Sequence, residues 1–208
     1  MRIAVIGAGA VGQALGQGWS KAGHAVKFGV PDPRAAKYKS LPAQQLATPT
    51  AASADAEVVT LATPWPNTEA AIRSLGNLAG KIVIDCVNPL RRDAQGMSLE
   101  IGHSVSAGER VAQWAKGASV FKTLNHTGAE NMANATRFKL KPVMFVAGDD
   151  AAKKPAVMNL VGDLGFEAVD AGPLTNARLL EPLAMLWIDQ AFARGRGRDF
   201  GFAIVKRG

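Results

Sequence analysis

The sequence predicts an α/β chain with a doubly wound, mainly parallel sheet and a small C-terminal α/β extension. Three observations predict it. Short apolar runs recur at residues 3–6, 25–28, 57–62, 81–85 and 119–123, and helix-length segments separate most of them. The runs are continuously apolar rather than alternating, as strands are when both faces of a parallel sheet are covered. A glycine-rich turn, Gly7-Ala8-Gly9-Ala10-Val11-Gly12, links the first run directly to the first helical period.

The elements follow in order. After the first strand, a helix over residues 10–22 ends at Gly23, in the position of a left-handed helix stop. Further helices are expected over 67–75 and 107–114. The polar stretch 88–100 fits no regular element and is expected to be a functional loop. Residues 142–147 read as a strand, 151–164 as a helix opening after the Gly148-Asp149-Asp150 turn, and 166–170 as a last strand. The helix expected over 176–192 carries Leu179, Leu180, Leu183, Met185, Leu186, Trp187 and Ile188, more than one core-facing stripe needs. A dimer interface would cover its second side. The division is a domain of residues 1–140 and a smaller one of 141–208 that completes a cleft and carries the dimer contact.

Composition narrows the function. With 208 residues, 48% of them hydrophobic, the chain can bury one full core and a small appended unit. Its single cysteine, Cys86, excludes an intramolecular disulfide framework and suits a reducing cytoplasm. No apolar run approaches the ~20 residues of a membrane span, and no leader is expected ahead of the first strand. The net charge of +7 is scattered and lacks interleaved aromatics; an anionic small molecule explains it equally well, and no nucleic-acid or membrane partner is expected.

The glycine turn gives that small molecule a chemistry. Between a strand and a helix, Gly7 makes the tight turn, Gly9 lets backbone approach a pyrophosphate and Gly12 lets the helix pack on the sheet. The amides of Ala10 and Val11 would meet the phosphates at a helix N-terminus. This is the dinucleotide site of a Rossmann-type fold. Where an NAD-selective site places a carboxylate, the chain reads Gly29-Val30, with no acid. Asp32 lies two residues on, while Arg34 and Lys37 are cations near enough for a 2′-phosphate, so NADP(H) is favoured. Ligands of such sheets lie beyond the carboxyl ends of the strands. Ala62-Thr63-Pro64 would therefore flank the cofactor, Asn88-Pro89 would lie by the nicotinamide, and Trp65, Asn125 and His126 would meet the substrate. The blander alternatives are that Arg34 and Lys37 are surface charges, that Trp65 and Pro89 shape loops, and that His126 bonds backbone.

Cys86 reads as a core thiol, His24 as a solvated turn residue, and His103 has no partner at metal spacing. No catalytic acid–base pair and no metal-ligand set is evident. Hydride transfer to a flavin or deazaflavin demands positioning more than a protein proton donor.

Several strings together resemble the deazaflavin-dependent NADP oxidoreductases, which exchange hydride between NADPH and coenzyme factor 420, and the related cytosolic domain of six-transmembrane ferric reductases. They are Ile3 to Gly12, Ala62 to Trp65, Asp85 to Leu90, Ser106 to Glu109, Lys122 to Met132, Val146 to Asp150, Asp170 to Leu174 with Asn176 to Glu181, and Asp199 to Phe202. The resemblance implies a Rossmann domain with a small C-terminal domain folded back on it, a nicotinamide in the cleft between them, and a homodimer. It implies that Gly7 to Gly12 hold the pyrophosphate, that Thr63 and Pro64 flank the cofactor, and that Asn88, Asn125 and His126 border the hydride site. One departure stands out: relatives that bind NADP commonly carry Ser-Arg or Thr-Arg after the second strand, where this chain has Val30-Pro31. Arg194, Arg196 and Arg198 could meet an anionic acceptor but read better as a solvated basic tail. The competing functions are a non-catalytic NAD(P)H sensor or regulatory module, and a reductase of small imines or hydroxy acids, for which no lysine or acid is placed to protonate the product.

Overall fold

A computed structural model describes residues 1–94 and 96–207. The described residues form an eight-stranded sheet. Its strands are β1 (Arg2–Ile6), β2 (Ala25–Gly29), β3 (Leu46–Ala47), β4 (Val58–Leu61), β5 (Ile82–Asp85), β8 (Ser119–Lys122), β9 (Val143–Gly148) and β10 (Glu167–Asp170). The order across the sheet is β10-β9-β8-β5-β4-β1-β2-β3. All neighbours run parallel except β8 and β9, where Phe121 faces Gly148 in antiparallel register. The chain leaves β1 toward β2 on one side and resumes at β4 on the other. That reversal opens a crevice beyond the carboxyl ends of β1 and β4, the place where such sheets bind ligands.

Helices cover both faces, which is why the strands read as continuous apolar runs. On one face α1 (Ala10–Lys21) and α6 (Lys154–Asp163) pack Leu15, Trp19, Val157, Leu160 and Val161 against Ile3, Val5, Ile84, Phe121 and Met144. On the other, α2 (Pro49–Ala54), α3 (Trp65–Arg73) and α4 (Ala107–Trp114) bring Ala52, Ile72 and Val111 onto Ala4, Ile6, Val59, Leu61 and Val83. A fully buried aliphatic side chain of this kind contributes about 1.5–3 kcal/mol. Gly23 closes α1 at φ +90°, the left-handed stop read from the sequence. The short α5 (Ala129–Met132) follows β8, and α7 (Ala177–Ile188) returns beside α4.

Three expectations change. Most of the unassigned stretch 88–100 is a hairpin, β6 (Leu90–Asp93) paired antiparallel with β7 (Gly96–Leu99), and Gly96 takes φ +122°, a backbone state that side chains disfavour. His24 is not a free turn residue: its Nδ1 lies 3.1 Å from the Met1 amino group and its Nε2 2.9 Å from the Asp163 carboxylate. It therefore ties the start of the chain to the end of α6. The last helix is regular only to Ile188, then winds wider as a π-type turn over Asp189–Ala193. Within α7, Ala177, Leu180, Glu181, Ala184 and Trp187 are buried, but Leu179 is 66% and Leu186 50% exposed. In the single chain, then, the second apolar side faces outward. The strands of residues 141–208 extend the sheet of residues 1–140 without a break. No helix of the described residues is long and apolar enough to cross a membrane.

Candidate active site

A cavity of about 1040 Å³ runs across the crevice from the end of β2 to the end of β5. At its centre is the glycine turn. Gly7 takes φ +97°, and a Cβ there would sit 2.7 Å from the Ala62 carbonyl oxygen, so only glycine lets this turn pass under β4. A Cβ on Gly12 would collide with the Gly7 carbonyl, which makes this glycine a packing requirement rather than a cavity wall. Gly9 differs from both: nothing lies within 4 Å of its would-be Cβ, and the open space belongs to the cavity. The Gln13 amide donates to the Ala8 carbonyl at 2.8 Å and holds the turn in shape.

The turn opens α1 with Gly9 as an N-cap that has no side-chain hydrogen bond, and no acidic residue lies in the first turn. The amides of Ala10 and Val11 are thus left for a ligand, at the positive end of a twelve-residue helix. Such an end suits a pyrophosphate. Uncapped amides, open space at Gly9 and the absence of a competing carboxylate together fit a dinucleotide.

On the β4 side, Ala62, Thr63, Pro64 and Trp65 line the cavity as expected. The Thr63 and Thr68 hydroxyls are 3.0 Å apart, and the Trp65 ring packs on Trp114 of α4 with centroids 5.5 Å apart. On the β2 side the lining includes Gly29, Pro31, Lys37 and Tyr38. Two expected cofactor residues are not in it. Val30 is fully buried, its amide bonded to the Ala47 carbonyl, and Arg34 is exposed outside the cavity. The reason is local: Val30 is drawn inward where β2 pairs with β3, and the Asp32 carboxylate bonds the Arg34 amide in a turn that keeps this loop close to itself.

The β5 end is built differently. Asn88 lines the cavity, while Pro89 is buried beside it. Asn88 and Asn125 bond reciprocally: the Asn88 amide donates to the Asn125 backbone carbonyl at 2.8 Å, and the Asn125 amide donates to Asn88 Oδ1 at 3.0 Å. The Asn125 amide also donates to the Leu180 carbonyl of α7 at 2.9 Å. Asn125 thus supports the cavity from behind instead of lining it. His126 is further from its expected place. It is 2% exposed, its Nε2 accepts the Phe145 amide of β9 at 3.2 Å, and burial lowers its pKa to about 4. It is a neutral structural imidazole that bonds backbone, not a substrate contact. Immediately before Asn125, Leu124, also fully buried, is held at φ +56°, where an L side chain is strained.

Directly beneath lies a cluster that the motif reading missed. Lys122 and Asp85 are fully buried and Glu181 is 1% exposed, with the Lys122 ammonium 3.0 Å from Asp85 and 2.9 Å from Glu181. Lys122 also donates to the Val87 carbonyl. The other Asp85 oxygen accepts the Val87 amide, and Glu181 accepts the Ala107 and Gly108 amides at the N-terminus of α4. Burial opposes the Lys122 charge, but the two carboxylates outweigh it and hold its pKa above the ordinary value; burial raises that of Glu181 against the pull of Lys122. The cluster fixes the turn that presents Asn88 and pins α7 to the sheet. One signal could have found it: Lys122 and Asp85 end apolar strands and Glu181 sits in the most apolar helix, and a charge in such a run is buried only when paired.

Cys86 lines the cavity, and burial raises its thiol pKa. No cluster of three or more possible metal ligands occurs among the described residues.

Fold and cavity define an NAD(P)-type dinucleotide-binding oxidoreductase. The comparisons specify it further. Residues 2–89 match the family described as NADP oxidoreductase, coenzyme F420-dependent. A structure from Arthrobacter sp. FB24, assigned as an F420-dependent NADP reductase, is similar over 99% of this chain and 100% of its own, at 34% identity and a TM-score of 0.89. The chain belongs to this F420-dependent NADP oxidoreductase family and is an NADP(H)-binding oxidoreductase. A hypothetical protein from Sinorhizobium meliloti matches at 26% identity over 85% of this chain and 88% of its own, with a TM-score of 0.73. An imine reductase from Aspergillus terreus, in complex with NADPH4, shares the fold at 22% identity and a TM-score of 0.67; this chain spans 63% of its length.

Proposed function

We propose that the protein transfers hydride between NADP(H) and a deazaflavin or flavin-like acceptor stacked over the nicotinamide at the Asn88 end of the cavity. In this reading the α1 amides hold the pyrophosphate, Thr63 and Pro64 lie along the cofactor, and Asn88 meets the nicotinamide end. The cofactor supplies the hydride. The protein's part is orientation and exclusion of water, and Trp65 and Leu90 are apolar walls suited to a flat acceptor.

The carrying observation is chemical. Among the described residues lining the cavity near Asn88 there is no carboxylate, imidazole or lysine, so a substrate that needs a protein proton donor at its reacting atom is poorly served. A flavin-like ring accepts hydride at one atom and takes its balancing proton from solvent elsewhere. The full-length similarity to the Arthrobacter protein supports the same acceptor class.

The test is anaerobic turnover with NADPH and, separately, a deazaflavin, FMN, a quinone, a ferric chelate and a cyclic imine. Loss of the deazaflavin or flavin absorbance at a rate well above the others is expected. Turnover of the imine in preference to these would overturn the acceptor, and NADPH binding with no acceptor reduced at all would favour a sensor. The outward Leu179 and Leu186 further support the proposal that two copies associate through α7; light scattering at micromolar concentration tests it.

A further inference from the structure

We propose that Lys37 determines selectivity for the 2′-phosphate, and that it does so without a partner in the loop that follows β2. The inference rests on the reading that a dinucleotide lies along the cavity with its adenosine at the β2 end.

The ordinary place for a residue that reads the ribose is the end of the second strand. Here it is Gly29, and no side chain fits there: a Cβ would lie 2.8 Å from Ile6 Cδ1 and 3.0 Å from the Pro49 Cα, with Ala52 behind. The start of α2 therefore occupies the space an NAD-type carboxylate would use. The following positions are disposed of one by one. Val30 is turned into the core, Pro31 lines the cavity but offers no N–H or charge, and Asp32 has an oxygen bonded to the Arg34 amide at 2.9 Å. Arg34 lies outside the lining.

Lys37 remains, and among the described lining residues it is the one cation. It stands on a 3-10 turn, Ala36–Tyr38, whose Tyr38 ring is 8% exposed and anchors it in the core, and its ammonium lies 5.0 Å from that ring's centroid. The ring face holds the cation at the cavity mouth before any ligand arrives. A lysine is a point charge on a flexible stem rather than a planar fork, so it attracts a phosphate strongly and reads a ribose hydroxyl weakly. The prediction is discrimination by charge, not by shape.

Calorimetric titration with NADPH and with NADH, on wild type and on Lys37→Ala, Lys37→Arg and Arg34→Ala, tests this. Lys37→Ala should weaken NADPH roughly 10-fold or more while leaving NADH within about 2-fold, Lys37→Arg should restore most of the preference, and Arg34→Ala should change neither by more than about 2-fold. Added salt should erode the NADPH preference in wild type and not in Lys37→Ala. If Arg34→Ala removes the preference, if Lys37→Ala weakens both nucleotides alike, or if wild type has no preference, the proposal falls while the dinucleotide reading stands. If neither nucleotide binds wild type, both fall together. A lowered melting temperature without an NADH preference in Gly29→Asp is the expected complement, and a clean switch to NADH would overturn the packing argument.

Discussion

At the β2 end of the cavity the charged group among the described lining residues, Lys37, is exposed and lightly held on a neighbouring ring, while Asp32 accepts the Arg34 backbone amide in a loop outside the lining. At the β5 and β8 end Asn88 is half-buried and over-determined: it is bound to the buried Asn125 behind it, Asn125 is bound to α7, and both sit above a lysine shared by two carboxylates. On the proposed function, the difference follows from what each end would have to do. Selecting a phosphate needs long-range charge, which tolerates a mobile side chain. Delivering hydride needs reacting atoms held to a few tenths of an ångström, which tolerates little motion and justifies the strain at Leu124 and the cost of buried charge. An affinity site and an orientation site should therefore respond differently to substitution.

The largest effect is expected at the rigid end. Lys122→Met leaves two carboxylates buried without their cation and should cost about 3–5 kcal/mol by urea denaturation. If it costs under about 1 kcal/mol, the cluster does not hold α7 and the comparison breaks. Gly12→Val forces a branched side chain against the Gly7 carbonyl and should cost about 3 kcal/mol, with loss of NADPH binding at the shared turn between the two ends.

Acid should also attack the rigid end. His126 titrates near 6.5 when unfolded and near 4 when folded, because burial disfavours its charge. The unfolded chain thus binds the extra proton first. His126 imposes no penalty above pH 6.5; stability falls as pH drops from 6.5 toward 4, by on the order of 3 kcal/mol, and levels off below. Replacing His126 with Gln should flatten that slope in urea titrations across the range.

A smaller effect sharpens the contrast. Asn88→Ala removes two hydrogen bonds to Asn125 and should cost about 1–2 kcal/mol of stability, while slowing hydride transfer more than it weakens NADPH binding. Equal losses in both would mean that this end, too, acts by affinity. The smallest effect is expected of Arg34→Ala, within about 0.5 kcal/mol in stability.

Much of this was legible in the chain. Continuous apolar runs point to the covered parallel sheet, and the spacing of Gly7, Gly9 and Gly12 points to the tight turn that opens α1, because backbone sterics act locally and leave their mark on the residues concerned. Ala62 to Trp65 and Asn88 were legible too, since strand ends in this topology all open on one crevice. His126 was misjudged because adjacency to Asn125 says nothing about which way the chain turns after a residue in the left-handed region.

What sequence by itself determined is the class: sheet, helix order, glycine turn and a cofactor bearing phosphate. What only tertiary structure decided is which side chains line the cavity. Asp85, Lys122 and Glu181 are separated by 37 and 59 residues and become one buried cluster through strand pairing and the return of α7. Lys37 reaches the cavity and Arg34 does not, because a three-residue turn and the core anchor of Tyr38 set their directions. Periodicity and propensity are encoded in near neighbours, whereas burial and direction depend on elements that meet only when the core has closed.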